Sequence, residues 1–420
     1  MIEIWGAGQV FICDEAFSII HNGGIAFEKG ADRILEVGEY KALCARYPHA
    51  QMHFFPQGVL LPALINAHVH FEFGAHLAQF CYGDFGKWLD SLMANREHIL
   101  NIAHLDSIIH ESVQEQIACG VGSVGAVSSY GYDMALLVQS PLRVVYFNEA
   151  IGSNAGALDA LYAHTFERFE ASKALRSSTF TPALALHSPY SLHPLLAQKF
   201  IDIAASEHLA LSAHFLESHH EREWLLHSSG YFRGFFQKLA HIENPKALYS
   251  PQSFLDMLSP LAHNPLSLTH CLYAKEEEYT QMRALNASII TCPRSNRLLN
   301  NTFLPLNIEH INIAIGTDGK SSNNNLNLLD ELRASLQAYP TEDILALAKR
   351  LILRATAHGA RALGLHNGVL MAGRSVDFAL FEFEQPLFIP TQQHANQSPL
   401  HFILHAKRPA HLYINAKAVL

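Results

Sequence analysis

Residues 59–70 read VLLPALINAHVH, an apolar run that ends on Asn66 and then on two histidines separated by one valine. In a strand, successive side chains point to opposite faces, so His68 and His70 share a face about 7 Å apart at Cα and can converge on one ion. With 27 histidines in the chain, one His-x-His pair is weak evidence, and further ligands must come from elsewhere. Three later apolar runs end in the same way: SAHFLES carries His214 and Glu217, LSLTHC carries His270, and INIAIGTDG carries Asp318. Each of these would be a costly buried polar group without a partner, so their shared placement at run ends points to one site. Together they make five metal-capable groups and a spare carboxylate.

The elements that must position them form a series. Strand-like runs occur at 59–70, 120–130, 143–153, 180–191, 209–218, 266–274, 287–296 and 311–319, each closing on polar residues. Between them lie segments of helical period, such as 195–208, where Leu196, Phe200, Ile203 and Ala204 fall on one stripe. Eight buried strands alternating with helices predict an α/β fold, a (β/α)8 TIM barrel whose catalytic residues sit at the C-terminal strand ends. Residues 1–58 and 368–420 instead hold short alternating runs such as ADRILEVGEY and GRSVDFALFEFE. They predict a small β-sandwich domain built from both termini, flanking a barrel at 59–367. The stretch 219–262, with HHEREWLLHSSGYFRGFFQ, reads as a lid over the mouth or a long helical connection.

Composition narrows the function classes. A chain of 420 residues with 49% hydrophobic content can bury a large core. A net charge of −9 with no Lys/Arg block argues against nucleic acid or an anionic membrane as a partner. No apolar run reaches the length of a membrane span, and the first residues lack a signal-peptide pattern, so a cytoplasmic location is expected. The six cysteines, at 13, 44, 81, 119, 271 and 292, have no paired spacing and read as reduced thiols. CPRS at 292–295 lacks a second cysteine, which excludes a cytidine-deaminase type of zinc site.

LPALINAHVH, HFLES, THC, CPRSN and GTDGKSSNNN, in that order over essentially the whole chain, resemble the amidohydrolase superfamily, in particular its metal-dependent deaminases and chlorohydrolases. The resemblance implies that His68, His70, His214 and Asp318 hold one divalent metal, that Glu217 is a proton shuttle, and that His270 orients water or substrate. The chemistry agrees: three imidazoles, a carboxylate and an open position make a catalytic site that lowers the pKa of bound water to about 7. Asp318 can then accept the water's proton, while Glu217 delivers one to a ring nitrogen and later to leaving ammonia. Binuclear relatives carry a lysine at the end of strand four; ALALHSPYS has none, so one metal is expected. Zinc suits the set best, with iron(II) or manganese as alternatives.

Within that branch, His187 in HSPY matches a histidine of the adenine-deaminating members, and Trp88 with Glu97 matches a pair that touches the nucleoside sugar there. HVHFEF, FGKWLDSLMANR, YFNEAIGS and HFLES followed by HHEREWL are most similar to the deaminases of the futalosine route to menaquinone, which act on an adenine nucleoside with a benzoate-like tail. Glu149 and Ser153 fall at the expected mouth with Ser322 of GTDGKSSNNN, and Arg96, Arg294 or Ser153 would meet an anionic tail. Deaminases of adenosine, S-adenosylhomocysteine or methylthioadenosine would share every catalytic residue. From another class, a noncatalytic binding relative would have lost ligands, and none is missing here. Homo-oligomers are common among such enzymes, and the sequence leaves a homo-oligomer open.

Overall fold

The computed structural model describes residues 1–75, 78–100, 105–240, 243–306, 308–387 and 397–420. Four strands come first, β1 (Ile2–Phe11), β2 (Ile19–Glu28), β3 (Ile34–Glu39) and β4 (Gln51–Pro62). Eight follow, β5 (Leu64–Val69), β6 (Val121–Ser128), β7 (Arg143–Ala150), β8 (Phe180–Leu186), β9 (Leu211–Phe215), β10 (Leu266–His270), β11 (Ser288–Thr291) and β12 (Ile313–Ile315). The last three are β13 (Phe378–Glu382), β14 (His411–Ile414) and β15 (Lys417–Ala418).

Strands β5 to β12 lie side by side in chain order and pair in parallel. The last returns to the first, where the N–H groups of Thr317 and Asp318 both donate to the His68 carbonyl at 3.1 Å. The sheet therefore nearly closes as an eight-stranded barrel. Gly316 permits the approach, because a Cβ there would stand 2.7 Å from that same carbonyl oxygen. Asn66 staples the seam: its Nδ2 donates to Thr317 Oγ1 at 2.8 Å, and its Oδ1 accepts the Thr317 N–H at 3.0 Å. The polar residue closing an otherwise apolar run is thus a structural tie between first and last strands.

Both faces of these strands are covered, which is why they read as continuous apolar runs; every residue of β5 and β6 is buried. The helix Pro194–Ser206 shows how the outer layer seats itself. It buries Leu196, Ala197, Phe200, Ile201 and Ala204 and leaves Ile203 half-buried. Proline sits at its first position, where a missing N–H costs nothing.

The run that begins at Val59 serves two sheets. Its first part, through Pro62, completes β4, which pairs with both β1 and β13, and the barrel strand starts at Leu64. The terminal segments do build a separate β unit. It is one mixed seven-stranded sheet in the order β15-β14-β13-β4-β1-β2-β3, in place of the expected sandwich of two sheets. The reason is the central position of β4, which joins the N- and C-terminal strands edge to edge. Residues 219–262 carry three helices, His219–His227, Tyr231–Ala240 and Pro251–Met257. Trp224 and Phe232 pack into the barrel's outer core, so the segment is in large part a helical connection.

Candidate active site

The C-terminal strand ends gather the predicted residues. His68 and His70 leave β5, His214 is in β9, His270 ends β10, and Asp318 follows β12. His68, His70 and His214 each bring a ring nitrogen into one group within 4.8 Å. The Nε2 atoms of His70 and His214 are 3.3 Å apart, and Asp318 Oδ1 lies 3.8 Å from His68 Nε2 and 3.6 Å from His70 Nε2. The backbone that aims these groups is unusual. Leu216, His270, Cys271 and Asp318 all have left-handed φ values, 47°, 72°, 52° and 62°. Such conformations are sparsely populated by side-chain-bearing residues and persist where the surroundings over-determine them.

The far sides of His214, His68 and Asp318 are anchored, whereas His70 Nδ1 is buried without a hydrogen-bond partner. His214 Nδ1 lies 3.1 Å from the His187 carbonyl, and His68 Nδ1 lies 3.3 Å from Thr269 Oγ1. Asp318 Oδ2 accepts the hydroxyls of Ser295 at 2.7 Å and Ser322 at 2.9 Å. Burial pushes His68 well below the ordinary imidazole value, and it brings His214 down to about 3, so both rings are neutral. Burial alone would raise Asp318, yet His270, His70 and His68 hold it below the usual carboxylate range. His68 Nε2 is buried without a hydrogen-bond partner. Neutral imidazoles with converging, unpartnered nitrogens and an ionised carboxylate are what one divalent cation requires, and the donor set fits such an ion.

Beside this cluster, Glu217 and His270 form a second pair with Asp318. Glu217 Oε1 is 3.6 Å from His270 Nε2. His270 Nδ1 meets Asn296 Oδ1 at 2.8 Å, and Asn296 Nδ2 donates to Thr291 Oγ1 at 3.2 Å. That orientation puts the His270 proton on Nδ1 and leaves a lone pair on Nε2. Burial, then the charges of Asp318 and Glu221, push Glu217 well above its ordinary value. The buried Glu221 accepts the Glu217 N–H at 3.0 Å and fixes its backbone.

A cavity of about 670 Å³ opens from the cluster and is lined by His70, His214, Glu217, His270 and Asp318, with Glu149, Ser153 and His187 of the predicted substrate set. His187 is pinned by Ser191 Oγ, 2.6 Å from its Nδ1, and burial lowers it to about 3. Glu149 Oε1 stands 3.6 Å from His214 Nδ1. Phe85, Trp88, Leu89, Leu92 and Arg96 of the helix Phe85–Leu100 form one wall, and Phe235 and Phe236 contribute from the 219–262 segment. Three expectations fall elsewhere. Glu97 is exposed and outside the lining, because nine residues at about 100° each carry it half a turn from Trp88. Arg294 is committed to Glu331, at 2.7 Å, and to Asn325, at 2.8 Å. Ser322 is buried on Asp318 rather than lining the cavity.

Sequence reasoning missed Ser295, Asn296, Glu221 and Glu72. Ser295 and Asn296 were within the quoted CPRSN motif. Glu72 was within the quoted HVHFEF, but its role rests on distant contacts: its buried carboxylate receives the N–H groups of Ser129, Tyr130 and Tyr132 and the Ser128 hydroxyl, about sixty residues away.

With a near-closed parallel barrel and this cluster established, comparison places the chain in a class. Residues 59–419 match the amidohydrolase family model, and the chain belongs to that family. An aminodeoxyfutalosine deaminase of Nitratiruptor sp. is 39% identical over 95% of this chain and 96% of its own length. A protein of Helicobacter pylori named adenosine deaminase is 38% identical, with 100% of both chains covered. The crystal structure of H. pylori aminofutalosine deaminase in complex with methylthio-coformycin superposes with a TM-score of 0.91 at 37% identity over 100% of both chains. Family members use a divalent metal, in keeping with the ligand groups above.

Proposed function

We propose that this chain is a hydrolytic deaminase that converts the adenine ring of aminodeoxyfutalosine to the hypoxanthine-like ring of futalosine, with release of ammonia, on the way to menaquinone. The observation that carries the reading is the buried Glu217, 3.6 Å from His270 and grouped with Asp318, in the same cavity as three converging imidazoles. The 39% and 37% identities to relatives of that activity, over nearly the whole chain, support the substrate.

In this reading His68, His70, His214 and Asp318 would hold one divalent ion, zinc in preference to iron(II) or manganese, and when bound it would supply Lewis-acid activation of a water near the ring carbon. Asp318 takes up a proton from the attacking water. Glu217 donates its proton to the adjacent ring nitrogen, which makes the carbon electrophilic, then takes the hydroxyl proton of the adduct as the carbonyl forms and passes it to the departing amine, and the proton held by Asp318 restores Glu217 for the next turn. His270, its proton fixed on Nδ1 by Asn296, offers the Nε2 lone pair to orient the water. The barrel, proposed as 59–367, does the chemistry, and the terminal sheet flanks it. A cytoplasmic location belongs to the same proposal, consistent with six unpaired cysteines.

Adenosine itself is the second reading, favoured by the name of the H. pylori relative. The two separate by kcat/KM, read from the ultraviolet change as adenine becomes hypoxanthine. Aminodeoxyfutalosine should exceed adenosine by about ten- to a hundredfold, the scale of a few polar contacts to the tail. Equal or faster turnover of adenosine would overturn the substrate and leave the deaminase. No turnover of any adenine nucleoside by metal-loaded protein would overturn both.

A further inference from the structure

Arg96 is the single permanent cation among the described residues that line the cavity, whose other charge-bearing groups include Glu149, Glu217 and Asp318. Among the described lining residues, a negatively charged substrate group meets a fixed positive side chain only at Arg96. Arg96 forms no ion pair among the described residues. Its contacts are to one neutral group, the Tyr130 hydroxyl, to which Nε donates at 3.0 Å and Nη2 at 2.6 Å. A guanidinium has five N–H donors in a planar fork, so Nη1 stays available to a carboxylate.

The surroundings set the rest of the ligand's chemistry. Aromatic rings lead from the cluster to Arg96 in two steps, His70 to Phe73 at 6.3 Å and Phe73 to Tyr130 at 6.4 Å. The Arg96 guanidinium carbon lies 5.3 Å from the Tyr130 ring centre. Leu92 and Met93, a turn earlier on the same helix, add apolar surface. Trp88, eight residues before Arg96 and so about 12 Å back along the helix, donates its Nε1–H to the Ser321 carbonyl at 2.9 Å, three residues past Asp318. The helix thus spans from the metal-binding end to the cation. Glu72 holds the far wall in place by receiving the Tyr130 N–H at 3.0 Å.

We infer that Arg96, braced by Tyr130, is the specificity-determining residue that receives the carboxylate of an aromatic acid at the far end of the nucleoside. The assignment rests on the deaminase reading above and selects among its substrates. Arg294, already committed to Glu331, has no such part.

The test compares two substrates on two enzymes: aminodeoxyfutalosine and the same nucleoside with its carboxylate converted to the neutral carboxamide, on the wild type and on Arg96→Met, which keeps an unbranched apolar stem. The quantity read is the ratio of kcat/KM values, carboxylate over carboxamide. Wild type should favour the carboxylate by about tenfold or more, and Arg96→Met should bring the ratio to near one, with Arg96→Lys between them. A merely structural role would slow both substrates and leave the ratio as it was; that result would overturn the assignment while the wild-type preference keeps the deaminase reading intact. A wild type that turns over both substrates equally would overturn the carboxylate subsite itself.

Discussion

The two ends of the cavity are built on different principles. At the histidine-rich end the groups stand on or just past barrel strands, are largely buried, and are mostly backed by a partner: His214 by the His187 carbonyl, Asp318 by Ser295 and Ser322, His270 by Asn296. The opposite wall is the helix Phe85–Leu100 with Phe235 and Phe236, apolar for most of its length and ending on the exposed Arg96. The contrast separates two tasks. Reaction chemistry needs donors held within a fraction of an ångström, which strand ends supply, whereas choice of substrate needs a wall that can vary without disturbing them.

If that division is right, substitutions should split cleanly between the two ends. The largest effect is expected for Asp318→Ala or His68→Ala, each of which should abolish both bound metal and turnover, because the remaining nitrogens lose a ligand and their orientation. Elemental analysis beside an activity assay checks this, and near-normal turnover with a full complement of metal would refute the cluster. A smaller and different effect is expected at the wall. Trp88→Ala removes a ring from the lining and its bond to the Ser321 carbonyl; KM should rise about tenfold with metal content unchanged. Loss of metal in this variant would show that the two ends are not separable. The smallest effect is expected for Glu97→Gln, which should keep kcat and KM within about twofold, since the side chain points to solvent. A rise in KM comparable to that of Trp88→Ala would return Glu97 to the binding site.

What could be read from the sequence follows the same line. Eight apolar runs and the alternation of His68 and His70 are local signals, so the barrel and the histidines at its rim were legible. The aim of His270 and Asp318 was not, because it depends on left-handed backbone at φ 72° and 62°, which no residue type announces at those positions. Glu97 was misjudged for a simpler reason. Its spacing from Trp88 looked meaningful along the chain, but on a helix it reverses the direction of the side chain. Glu72 and Asn66 depend on contacts with residues fifty or more positions away, so their roles emerge only once the strands are paired. The single sheet at the termini was hidden because alternation predicts strands and not which edges they share.

The account turns on Glu217 moving protons rather than holding metal, and Glu217→Gln tests it most directly when metal content and kcat are measured on one preparation. The substitution keeps the shape and removes the proton. Full metal occupancy with kcat reduced by about 10² to 10⁴ is the predicted result. Loss of the metal would make Glu217 a ligand, and undiminished turnover would remove it from the reaction; either would contradict the mechanism.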